Sequence, residues 1–242
     1  MEIGIIGFGQ FGQFAAEHLK KKFDVAVTDK RKLSDVAGKI GVEFVSLEEA
    51  ASKKIVILAT PISTFDKTLE QVKPFLQKDA LVIDVCSVKV KPAQQMKKIL
   101  PSTVRILATH PLFGPQSGKN GVEGLTTVLC PVRINEETVE KVKRLLEKAG
   151  LNVLVMSAEE HDMNMAKTQA LTHFLASALL DLKLLDGHQK IMTTSSVQFK
   201  KAIDLIKDDT PELFRDMQTE NPFAQIYREQ FIKKLELIHR KL

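Results

Sequence analysis

Up to about residue 156, short apolar runs alternate with longer stretches in which apolar positions recur every three or four residues. The short runs predict strands and the longer stretches amphipathic helices. The runs fall at 2–6, 24–28, 43–45, 54–59, 80–85, 104–108, 126–129 and 152–155. Helical stretches lie between most of them, which predicts an α/β fold with a doubly wound, mostly parallel sheet. From Ser157 onward the pattern changes. Ser157 followed by Glu160 is a capping-box signature, and the remainder reads as helical with no convincing strand. We therefore expect two domains, 1–156 and 157–242.

In the second part, Leu171, Phe174, Leu175, Leu179 and Leu182 recur at helical spacing. This predicts a helix buried on a wide face. The apolar positions of this part outnumber what three or four helices bury on one side, so a homodimer through the helical part is the economical expectation.

With 44% hydrophobic and 27% charged residues, the 242-residue chain has a soluble globular composition. We expect no membrane span, because the apolar stretch 170–185 is interrupted by His173, Asp181 and Lys183. Nor do we expect a signal peptide, because a glycine-rich turn follows the first strand. Cys86 and Cys130 lack the spacing of a zinc site, so no metal and a reducing, cytoplasmic setting are expected. The net charge of +5 is scattered in small basic groups, which disfavours nucleic acid but would draw in a small anionic ligand.

Gly7-Phe8-Gly9-Gln10-Phe11-Gly12 follows the first strand directly and precedes a helix expected at about 13–21. Asp29 closes the next strand. In that setting the glycines allow a tight turn and close approach of a dinucleotide pyrophosphate to a helix N-terminus. The alternative is a glycine-rich turn without a ligand. Asp29 is placed to hold the adenosine ribose hydroxyls, which favours NAD; Lys30, Arg31 and Lys32 leave NADP open. Further strands end at Thr60-Pro61, at Cys86-Ser87 and at Thr109-His110. The carboxyl ends of strands line the ligand crevice of an open α/β sheet, so these residues can share one site. Taken singly, His110 reads equally as a structural histidine and Ser87 as the cap of a helix beginning at 88.

GFGQFG at 7–12, DVCSVK at 84–89, THPLFGPQSG at 109–118 and EHDMNMAKTQALTHF at 160–174 together resemble the successive motifs of the prephenate and arogenate dehydrogenase family. That resemblance implies a Rossmann domain, a helical dimerisation domain and an active site between them. It also implies NAD(P)-dependent oxidative decarboxylation of prephenate or arogenate in tyrosine biosynthesis. His110 matches the general base, presented by the 109–118 loop, and Ser87 the serine that orients it. His173 matches a substrate-binding histidine, with Gln169 one turn earlier on the same face. His161 lies about 120° away from His173 around a regular helix, and we read it as a first-turn structural residue. Some members carry an arginine for the ring carboxylate where this chain has Lys200, which reads equally as a ligand or a surface lysine. The chain leaves us expecting no added regulatory or chorismate mutase domain.

Two other readings compete. One is a different Rossmann NAD(P) dehydrogenase or imine reductase with a helical dimer domain. The other is a non-catalytic nucleotide-sensing module, for which Ser87, His110 and His173 would have no use.

Overall fold

Eight strands form where the apolar runs lie: β1 (Glu2–Ile6), β2 (Asp24–Thr28), β3 (Glu43–Phe44), β4 (Ile55–Leu58), β5 (Leu81–Asp84), β6 (Arg105–Pro111), β7 (Thr126–Arg133) and β8 (Asn152–Val155). The computed structural model describes residues 2–183, 191–207 and 209–242. The strands make one sheet in the order β3-β2-β1-β4-β5-β6-β7-β8. Every neighbouring pair is parallel except β6 with β7, so this is the Rossmann-type, mostly parallel sheet expected.

Near-continuous apolar strands are what a sheet covered on both faces requires. Ile3 and Ile5 of β1 join Val25, Val27 and Ile57 in one layer. It is covered by Ala16 of α1 (Gln10–Leu19) and Ala37 of α2 (Ser34–Ile40). Ile6, Val56, Leu58 and Val82 belong to the opposite layer. There they meet α3 (Leu47–Ala51), α4 (Phe65–Val72) and α5 (Val90–Ile99) through Ala50, Phe65, Leu69 and Met96. Leu81, Leu107 and Leu129 pack with Val139 of α6 (Glu136–Glu147). Each large apolar side chain buried in these layers contributes about 1.5–3 kcal/mol.

Two boundaries depart from expectation. The first helix starts at Gln10, with Gly9 as its cap, so the glycine turn and the helix overlap. β6 continues past Ala108 through Thr109 and His110 to Pro111, because antiparallel pairing with β7 sets His110 opposite Val128 and Pro111 opposite Thr127. His110 therefore sits on a strand, and the loop expected over 109–118 begins only after Pro111.

The chain divides into two compact units, one up to His161 and one from Asp162 to Leu242. Helix α7 (Ala158–Met165) runs across the division, followed by a π-helical turn, Ala166–Ala170, and by α8 (Leu171–Asp181). α9 (Thr194–Asp204), α10 (Pro211–Thr219) and α11 (Ala224–His239) complete the second unit. Thr193 and Thr210 cap α9 and α10 through their hydroxyls, as N-cap threonines do. The helix expected to bury a wide face does so only in part. Ala176 is its one fully buried apolar residue, whereas Phe174, Leu175 and Leu179 are half-buried and Leu180 and Leu182 exposed.

Gly4 marks the closest approach of β1 to its cover: a Cβ there would lie 1.9 Å from the carbonyl oxygen of Ala50. Gly4→Ala forces two backbones apart and is expected to cost about 1–3 kcal/mol, as overpacking of a tight core does. Urea unfolding checks this, and an unchanged midpoint would show that β1 and α3 can separate freely.

Candidate active site

The dinucleotide turn lies where β1 and β4 end side by side, the point at which the strand order reverses. Gly7 has a φ of +98°, and a Cβ on Gly12 would lie 2.0 Å from the Gly7 carbonyl oxygen. Side chains are excluded at both. A Cβ on Gly9 would meet only Arg31 Nη2, at 3.9 Å, so the turn stays open above the N-terminus of α1. That end carries no side-chain cap, and its first N–H groups point outward for an anion. Beside Gly7, Thr60 Oγ1 is buried and, among the described residues, without a hydrogen-bond partner; Pro61 is exposed next to it.

Asp29 accepts the Phe8 N–H at 2.7 Å and the Arg31 backbone N–H and Nε–H, both at 2.9 Å. Burial pushes its carboxyl up, but the Arg31 and Phe8 hydrogen bonds outweigh that and hold it at about 2. The acid thus stays ionised and fixed. Arg31, one of the three basic residues that left NADP open, is the residue paired with Asp29. An open glycine cradle, an orphaned buried hydroxyl and an ionised acid at the end of β2 fit a dinucleotide.

Next along the sheet, β5 and β6 end in a buried polar cluster. Lys89 and Asp84 are both fully buried, and Lys89 Nζ donates to Asp84 Oδ2 and to the Thr109 carbonyl oxygen. Thr109 Oγ1 donates to the Asp84 carbonyl at 2.6 Å, and Cys86 N–H donates to Asp84 Oδ2 at 3.0 Å. Ser87 lies half-buried in the bend this cluster holds. It caps no helix, since α5 begins at Val90 with Lys89 at its cap. His110, 4% exposed, places Nδ1 2.8 Å from Nε2 of His161, which is completely buried. Burial, then the neighbouring His161 and Lys89, hold the His110 ring well below 6.5. That direction favours the neutral ring.

In the helical unit, His173 lies 3.5 Å from Asp209 Oδ2, and burial lowers its pKa. His173 lines a pocket of about 310 Å³ with Ser177, Asp181, Lys207, Asp209 and Phe214. Gln169 and Lys200 do not line it. Gln169 is half-buried in the π-helical turn, whose Ala170 carbonyl accepts Gln218 Nε2 at 2.7 Å. Gln218 Oε1 in turn accepts Arg228 Nη1 at 2.8 Å. Lys200 donates to both carboxylate oxygens of Asp204, at 2.8 and 2.9 Å, so its charge is already matched.

Family comparison supports the motif reading. Residues 15–155 match the model of the prephenate dehydrogenase nucleotide-binding domain, and residues 157–242 that of the prephenate dehydrogenase dimerization domain. The chain belongs to the prephenate dehydrogenase family. The glycine turn precedes the matched residues, so its assignment rests on its own geometry. Arogenate dehydrogenases 1 and 2 of Arabidopsis thaliana, both chloroplastic, are 32% and 31% identical to the chain over its full length. The chain spans 39% of the first and 70% of the second. A crystal structure of the Aquifex aeolicus prephenate dehydrogenase with hydroxyphenyl propionate and NAD+ superposes with a TM-score of 0.77. That protein is 25% identical, over 100% of this chain and 91% of the other.

Asp84, Lys89 and His161 escaped the sequence reading. Asp84 and Lys89 bracket DVCSVK, and an acid and a base flanking one strand end are the signal that was there. Helical spacing relates His161 only to the face of His173, whereas its partner is a strand residue 51 positions earlier.

Breaking one half of a fully buried ion pair strands the other charge, at a cost of about 3–5 kcal/mol. Lys89→Met is therefore expected to destabilise the first unit by that amount in denaturant unfolding. Stability within about 1 kcal/mol of wild type, the usual bound for a surface change, would mean the pair holds nothing together.

Proposed function

We propose that the protein catalyses NAD-dependent oxidative decarboxylation of prephenate or arogenate, with His110 as the general base. The observation that carries the reading is a buried histidine at the end of β6, two strands along the sheet from β4 and the open glycine turn. Family membership supports it. NAD, when bound at Gly7 to Gly12 with Asp29 toward its ribose, supplies the acceptor for a hydride.

His110 takes the proton of the ring hydroxyl as the carbon bearing it gives up hydride. The ring carboxylate then leaves as carbon dioxide, its bonding electrons make the ring aromatic, and the proton returns to the phenolic oxygen. Atoms and charge balance without an outside acid. Ser87 orients the hydroxyl and the base from the bend held by Asp84 and Lys89. Thr60 and Pro61 border the cofactor at the end of β4. We assign His173 and Gln169 to substrate binding. Lys200 can serve the ring carboxylate only by exchanging Asp204 for it.

Among the described residues, the buried apolar side chains of the helical unit are Ala166, Ala170, Ala176, Ile203, Met217 and Ala224. Ile226, Ile232, Leu235 and Ile238 of α11 are 41–51% exposed. So small a core beside so much uncovered apolar surface supports a homodimer formed through this unit. Among the described residues no helix is long and apolar enough to cross a membrane. Cys86 and Cys130 are buried thiols, which suits a reducing compartment such as the cytoplasm.

The decisive measurement is absorbance at 340 nm with NAD and each substrate in turn. Reduction with neither prephenate nor arogenate would remove this reading. kcat/KM is expected to favour NAD over NADP, because Asp29 is held ionised where a 2′-phosphate would lie; the reverse preference would hand the pocket to Arg31 and its neighbours. His110→Asn is expected to lower kcat by about 10²–10⁴ with cofactor affinity unchanged. Retention of more than about a tenth of kcat excludes His110 as the base.

A further inference from the structure

The contact between His110 and His161 joins two imidazoles through a single hydrogen. With 2.8 Å between Nδ1 of one ring and Nε2 of the other, one nitrogen must donate and the other accept. Two arrangements satisfy the contact, and they have opposite consequences. If His161 donates, the hydrogen of the neutral His110 ring sits on Nε2, and that ring has no lone pair left for a substrate proton. If His110 donates from Nδ1, its Nε2 is the free base.

We propose that His161 is a positioning residue for His110: by accepting the His110 Nδ1–H on its own Nε2, it holds that ring in the tautomer whose Nε2 can take the substrate proton. The proposal rests on the reading of His110 as the general base. Three observations carry it. His161 is completely buried, so its ring cannot turn to water for a substitute partner. The rings meet edge-on at 69° with centroids 5.0 Å apart, which brings the edge of one ring to the other. His110 is itself fixed by the β6–β7 ladder opposite Val128, so neither ring is free to slide past the other.

An acceptor behind a catalytic imidazole fixes both its orientation and its tautomer. A carboxylate does so in many hydrolases and would add a negative charge. A second imidazole performs the same task without charge, in a pocket where Lys89 is already buried close by. Both rings lie within the first unit, so the arrangement is complete before any substrate is bound.

The ¹⁵N signals of the histidine rings test the proposal without turnover. In the wild-type protein His110 Nδ1 is expected to show the shift of a protonated ring nitrogen, and His161 Nε2 that of an unprotonated one. The opposite pattern overturns the proposal whether or not the protein turns over prephenate or arogenate. If neither substrate is turned over, only the functional reading fails, since the tautomer is measured independently. Two variants give the kinetic side. His161→Gln places an amide oxygen where Nε2 was and is expected to keep kcat within about five-fold, whereas His161→Phe fills the space with no acceptor and should lower kcat about 10- to 100-fold, the usual range for such supporting partners. Cofactor affinity should stay unchanged in both. Equal activity of the two variants would show that His161 only fills volume.

Discussion

The ammonium of Lys89, buried against Asp84 Oδ2 and the Thr109 carbonyl, is the interaction on which the reactive end of the sheet depends. β5 and β6 are parallel, and nothing in a parallel ladder fixes what the chain does once the strands end. Here one charge bridges the two exits. It ties Lys89, two residues past Ser87, to Asp84 and to Thr109, the residue before His110. The Thr109 hydroxyl closes the loop by donating to the Asp84 backbone. A buried pair gains little stability over apolar side chains of like volume, and its value here lies in direction. An apolar pair would fill the space without fixing where Ser87 and His110 stand.

The same need for fixed direction fits the place of His110, the proposed base, on a strand. A loop histidine could be placed by proline and glycine only to within the freedom of the loop. In β6, His110 is held by pairing with β7 on one side, while Ala108 pairs with Asp84 on the other. The segment after Pro111 then leaves the sheet as bends and turns. The proposed cofactor turn follows the same economy: Gly7 and Gly12 close the turn on itself, and Asp29 is held by Phe8 and Arg31.

The helical unit is built on looser terms. The π-helical turn at Ala166–Ala170 widens the backbone, and the Ala170 carbonyl finds its partner in Gln218, which Arg228 steadies. Gln169 lies in this turn and His173 just beyond it, so their placement depends on a side-chain network from α10 and α11. The apolar surface that α11 leaves exposed belongs to the same unit, whose own core is largely alanine.

The order of elements, the mostly parallel sheet, the tight glycine turn and the acid at the end of β2 were all legible in the sequence, because each rests on local chemistry: apolar runs, glycines and one aspartate within a few residues of the feature they create. The motif residues Ser87, His110 and His173 were legible as chemistry but not as geometry. What only the tertiary structure decided was pairing. Whether β6 stops at Ala108 or runs through His110 depends on β7, whether Lys200 is free depends on Asp204, and whether His161 matters depends on a ring 51 residues away. Spacing along one helix or strand predicts neighbours on that element. It is silent on contacts made when separate elements close on each other, and here those contacts hold the buried charges and the proposed base.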